Sequence, residues 1–87
     1  MATFIIVPTS ENNGFDESLP ERFGERAFRL PNGDWLVAFP GTSEQLANEI
    51  GIVQDETNHA VVLRFTAYWG RATPDTWAWM RENGDFG

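Results

Sequence analysis

Cysteine and lysine are both missing from this chain of 87 residues. Without a thiol there is no disulfide staple, no thiol catalysis and no cysteine-ligated zinc. Histidine occurs once, at His59, which excludes a histidine-rich metal site. No apolar run approaches the roughly 20 residues that a membrane span needs. Phe4-Ile5-Ile6-Val7 is also too short for the core of a signal peptide. A cytoplasmic location is the expectation that follows. Positive charge is scarce as well: six arginines face thirteen carboxylates, for a net charge of −7. Such a surface repels phosphate backbones at long range. Neither a nucleic acid nor a membrane is therefore expected as a direct partner. The acids are spread evenly, six in the first half and seven in the second, so no charge block marks a disordered tail.

What the chain does have is apolar and aromatic surface. At 41% apolar and 22% charged residues it has the composition of an ordinary globule. The expectation is one domain spanning 1–87. At this size folding buries only about 60–65% of the surface of the extended chain. Aromatics must then supply much of the driving force, each burying on the order of 150–250 Å². Three of the four tryptophans fall in the last twenty residues, in Tyr68-Trp69-Gly70-Arg71-Ala72-Thr73-Pro74-Asp75-Thr76-Trp77-Ala78-Trp79-Met80-Arg81 and beyond.

Thr3 to Val7 is apolar on both faces and suits a central strand ending at Pro8, which has no N–H for a ladder. Phe15, Leu19 and Phe23 recur every four residues and predict a short helix. Asp16 is its expected N-cap, Pro20 then falls at the fourth helical position, and Gly24 stops it. Ala27–Leu30 and Asp34–Phe39 flank Pro31-Asn32-Gly33, a hairpin signal because Asn and Gly tolerate positive φ. Thr42 and Gln45 form a capping box that opens a helix, and Gly51 closes it in left-handed geometry with Ile52 folding back. Ala60–Trp69 reads as the longest strand, with Val61, Leu63, Phe65 and Ala67 on one face and Val62, Arg64, Thr66 and Tyr68 on the other. Thr73 and Pro74 open a last helix that ends near Asn83-Gly84.

Strand, helix, strand, strand, helix, strand, helix is the resulting order. It predicts an α+β fold of ferredoxin-like βαββαβ type. Two helices cover one face of an antiparallel sheet, the first and last strands lie in its middle, and a C-terminal helix is added.

Catalytic, metal and cofactor sites are not expected. Asp55, Glu56 and His59 share one loop, but ordinary polar loop residues account for them. Pro40-Gly41-Thr42-Ser43 opens a helix as phosphate-binding loops do, yet the lysine of that signature is absent. Neither Asp16-Glu17 nor Asp55-Glu56 has a spatial reason to act as an acid/base pair. The aromatic tail is different. At 100° per residue Trp79 points about 160° away from Trp77, so one flat sheet surface cannot bury both. Trp77 is expected in the core and Trp79 over a strand edge or the chain end. Tryptophan, tyrosine and arginine dominate protein contacts. Arg64, Tyr68, Trp69, Arg71 and Trp79 are therefore the candidate interaction residues.

The opening strand, the Trp35-Leu36-Val37 strand, the helix capped at Thr42 and the long fourth strand resemble the ferredoxin-fold Cas2 group associated with CRISPR arrays. That resemblance covers residues 3 to 69. It implies a homodimer built on sheet faces and a metal-dependent nuclease with an aspartate at the end of the first strand. Val7-Pro8-Thr9 holds no acid there, so only the fold and the dimer carry over. The aromatic ending is similar to that of small bacterial proteins with no assigned activity. The expected function is a small non-enzymatic interaction domain, pairing with a protein partner or with itself through the open sheet face and the last helix. The alternatives are an acidic phage- or plasmid-type inhibitor that occupies a nucleic-acid site on a basic partner, and a degenerate Cas2-like nuclease.

Overall fold

The opening apolar run forms strand β1 (Ala2–Pro8), one of the two central strands of the sheet. In order these are α1 (Phe15–Phe23), a 3₁₀ turn (Gly24–Arg26), β2 (Ala27–Arg29), β3 (Trp35–Phe39), α2 (Ser43–Glu49), β4 (Ala60–Phe65) and α3 (Pro74–Asn83). The computed structural model describes residues 1–9, 14–52, 59–67, 70, 72 and 74–83. Two expectations lie outside the described residues: the Thr73 cap and the loop acids Asp55 and Glu56. The expected strand from Ala60 to Trp69 is shorter than the sequence suggests: β4 ends at Phe65, Thr66 and Ala67 already lie outside it, and β1 with seven residues is longer. The architecture is α+β, with a four-stranded antiparallel sheet in the order β2-β3-β1-β4.

Alternation along the strands divides the apolar residues between two faces. Phe4 and Ile6 of β1, with Trp35 and Val37 of β3, meet Phe15, Leu19 and Phe23 of α1 and Leu46 and Ile50 around α2. This is the main core. Phe39 joins it edge-on, with ring centroids 6.3 Å from Phe4 and 6.2 Å from Phe23. On the opposite face Leu36 and Ala38 pack against Trp79 and Met80 of α3, with Phe28, Leu30, Ile5, Phe65 and Trp77 around them.

The local signals explain why the elements start and stop where they do. Thr42 Oγ1 accepts from Gln45 N–H at 3.1 Å while Gln45 Oε1 accepts from Thr42 N–H at 2.9 Å. Gly51, at φ 85°, ends α2: its N–H reaches Asn48 O, and Ile52 N–H reaches Ala47 O. That is the double bond set of a Schellman ending. In the hairpin Gly33 N–H donates to Leu30 O and Leu30 N–H to Asp34 O, with Gly33 at φ 99°. This is a three-residue loop whose last residue takes the left-handed position.

Three further expectations are corrected. The N-cap of α1 is Gly14, not Asp16, because the Asp16 carboxylate is committed elsewhere: it accepts from Arg29 Nε at 3.1 Å and Trp35 Nε1 at 3.2 Å. Pro20 thus falls deeper in the helix than the fourth position, on its exposed side. The second correction concerns β4, which lies at the sheet edge; β3 takes the central place beside β1. β3 pairs with β1 over Ala2 to Ile6, which leaves the other side of β1 to β4. Third, the sheet face opposite α1 and α2 is not open across its width. α3 covers its β2–β3 half.

Candidate interaction surface

β4 is the site's scaffold, and its geometry follows from one hydrogen bond. Thr9 N–H donates to His59 O at 2.8 Å across the β1–β4 pairing. Backbone groups alternate direction along an antiparallel strand. Val61, Leu63 and Phe65 therefore turn theirs toward β1, while Ala60, Val62 and Arg64 turn theirs to the free edge. Pro8 lies opposite Ala60, in a pair that exchanges no bonds, so its missing N–H costs nothing there.

Side chains on β4 divide as the sequence alternation predicts. Ala60 and Val62 pack toward the α1–α2 core. Val61 and Leu63 point to the α3 side, where α3 does not reach, and stay 47% and 51% exposed. They stand beside Val7 and Ile5 of β1, their register partners, both half-buried. Phe65 continues the row into a cleft of about 390 Å³ between sheet and helix, walled by Ile5, Leu36, Trp77 and Met80. The bare half of the sheet and this cleft form one apolar strip.

Of the expected interaction residues, the two that are described, Arg64 and Trp79, lie off that strip. Arg64 is exposed, but it faces the α1–α2 side, opposite Phe4. Trp79 is buried at 7% exposure; its Nε1 donates to Glu25 O at 2.8 Å and its ring tilts against Phe28 at 6.1 Å. Trp77, expected in the core, is half-buried at the cleft wall. The two tryptophans have exchanged places because Thr76, Trp79 and Met80 form the buried stripe of α3. Tyr68, Trp69 and Arg71 lie outside the described residues.

The chain matches no protein-family model, no curated protein and no solved structure.

Sequence reasoning missed Val61 and Leu63 as surface residues. They carried a signal only in combination: a strand apolar on both faces is central if covered and an exposed edge if not, and local sequence does not distinguish the two. No group of three or more His, Asp or Glu side chains gathers into a cation site among the described residues. The carboxylates lie elsewhere. α1 carries Asp16, Glu17 and Glu21 and α2 carries Glu44 and Glu49, against Arg22 alone. One arginine–carboxylate pair bridges these helices, Arg22 to Glu49 at 3.1 Å. Both side chains are about half exposed, so the pair adds little stability.

Proposed function

We propose that this chain is a small, non-enzymatic protein-interaction domain of ferredoxin-like type, which engages another polypeptide along β4 and the bare half of its sheet. The βαββαβ order and the strand order β2-β3-β1-β4 support the ferredoxin-like reading. The observation that carries the functional reading is the exposure of Val61 and Leu63, side by side on an edge strand. Exposed apolar rows on unguarded edges are where other chains add. The adjoining cleft offers a place for an apolar side chain of the partner.

A second reading, an acidic inhibitor that occupies a nucleic-acid site on a basic partner, draws support from the five carboxylates of the α1–α2 layer. One experiment separates the two. A photo-crosslinking residue is placed at Val61, at Leu63 or at Glu44, and adducts are collected in the native host. Adducts at Val61 and Leu63 but not at Glu44 are the expected result. Adducts from Glu44 alone would favour the acidic-surface reading, and silence at all three positions would remove both.

A further inference from the structure

Resting on the interaction reading above, we infer that the occupant of the β4 edge is a second copy of this chain. The two β4 strands pair antiparallel about a two-fold axis through Val62. The argument begins with the outward backbone groups. Ala60, Val62 and Arg64 present their N–H and C=O to the edge, and no described residue pairs with them. A two-fold axis perpendicular to the sheet keeps both copies the same way up. The axis can pass through a bonded or a non-bonded pair, but a centre on Val61 would leave Arg64, and a centre on Leu63 would leave Ala60, without a partner inside β4. Centred on Val62, all three outward residues are used: Val62 meets Val62 of the other copy, and Ala60 meets Arg64, twice. Shifting the centre by two residues would leave one end of the strand without a partner.

This register also unites the exposed side chains. Val61 of each copy falls opposite Leu63 of the other, in the pairs that exchange no bonds and bring side chains closest. Four half-exposed apolar side chains become one cluster on the α3 side. On the other face Arg64 lies against Ala60, which leaves room for its stem. The two guanidiniums end up four residues apart along the strands, about 13 Å, beyond the screening length at physiological salt.

Charge bears on which edge can self-associate: β4 itself carries no acid, and the acidic helix that packs on it, α2 with Glu44 and Glu49, lies over the face opposite Val61 and Leu63. Two copies at −7 each repel wherever carboxylates meet. α1, α2 and α3 all bring acids, and Glu25 stands just before β2. β1 and β4 carry none; their one charged side chain is Arg64. β2 spans three residues, too few to template a partner, whereas β4 spans six. Six residues give an edge of only about 20 Å. The buried area is then below the roughly 800 Å² per partner of a standard interface, so the dimer is transient and concentration-dependent.

The test is solution mass by light scattering on the full chain, from about 10 µM to about 1 mM, the range in which weak complexes form. Wild type is expected to rise from one copy toward two. V61K and L63E are each expected to remain single, with circular dichroism unchanged. Mixing V61K with L63E is expected to restore the two-copy mass, because position 61 of one chain then meets position 63 of the other with opposite charge. A wild type that stays single throughout overturns self-pairing. Crosslinks from Val61 or Leu63 to a different protein would still sustain the interaction reading. A dimer that survives both single substitutions, or one that mixing fails to restore, overturns this register.

Discussion

Replacing Trp79 by alanine should undock α3, and the size of the loss can be worked out from its contacts. The side chain is 7% exposed, so nearly all of the roughly 150–250 Å² of an indole is out of water. At about 25 cal/mol per Å² that burial contributes about 4–6 kcal/mol, and measured tryptophan truncations in cores cost about 3–5. The substitution also removes the Nε1 donor from Glu25 O, a bond of 2.8 Å. A domain of this length has about 4–13 kcal/mol of total stability, so the loss is a large share of it. For a loss of about 3–5 kcal/mol the melting temperature should fall by roughly 12–40 °C, at about 4–8 °C per kcal/mol for a domain of this size. Trp79→Phe keeps a ring against Phe28 and loses only the donor and some area, for about 1–2 kcal/mol. Trp77→Ala, at the half-buried cleft wall, should cost less than Trp79→Ala by at least about 1 kcal/mol. Urea unfolding followed by far-ultraviolet circular dichroism ranks the three. If Trp79→Ala lies within about 1 kcal/mol of wild type, or Trp77→Ala costs more, the assignment of Trp79 as the anchor of α3 is refuted. One practical consequence follows: loss of association in Trp79→Ala reports on folding, and Val61 and Leu63 are the cleaner probes of a surface.

Asp16 and Arg29 form a pair whose partners should respond unequally. Asp16→Ala strands the indole N–H of the buried Trp35 and should cost about 1–2 kcal/mol. Arg29→Ala removes a half-exposed ion pair and a long, exposed bond to Leu30 O and should cost under about 0.5 kcal/mol. Equal costs in denaturant titrations would mean that the ion pair, not the indole bond, is what Asp16 supplies. Thr3 is 2% exposed, and its Oγ1 has no hydrogen-bond partner among the described residues. Thr3→Val keeps the shape, removes that stranded hydroxyl and should stabilise by about 1 kcal/mol, read as a higher urea midpoint at unchanged slope. A lower midpoint would show that the hydroxyl is satisfied.

Elements with local chemistry were legible in the sequence. The α2 helix carries its start in Thr42 and Gln45 and its stop in Gly51 and Ile52, all within one turn of the ends they specify. The Asn32-Gly33 hairpin and the Phe15–Leu19–Phe23 stripe are local in the same sense. What failed depended on partners far along the chain. Asp16 looks like a cap until Arg29 and Trp35 arrive to take its carboxylate. β4 looks central because Val62 and Leu63 are both apolar, and only the pairing of β3 with β1 shows that β4 is left at the edge, with no further strand beside it among the described residues. The helical wheel shows that Trp77 and Trp79 diverge, but not which of them meets the sheet. The deciding stripe, Thr76–Trp79–Met80, is half disguised by a threonine. Asn83 continues it, with Nδ2 on Trp79 O at 3.1 Å.

The placement of α3 gives the bare half of the sheet its meaning. Ala38 and Leu36 give the helix a shallow seat over β3, and the bond from Trp79 to Glu25 O ties it to the turn that leads into β2. The helix thereby covers the sheet next to its shorter edge, the one with least capacity to add a strand, and leaves the longer edge clear. An exposed row such as Val61 and Leu63 is an aggregation hazard on a neutral protein. Here the hazard is contained by charge. At −7 the copies repel where α1, α2 or α3 meet face to face, whereas β4 itself carries no acid and α2 with Glu44 and Glu49 packs over the face opposite Val61 and Leu63. The even spread of acids along the sequence, uninformative by itself, acquires a direction once folded: the three helices carry most of the acids among the described residues, and β4 carries none.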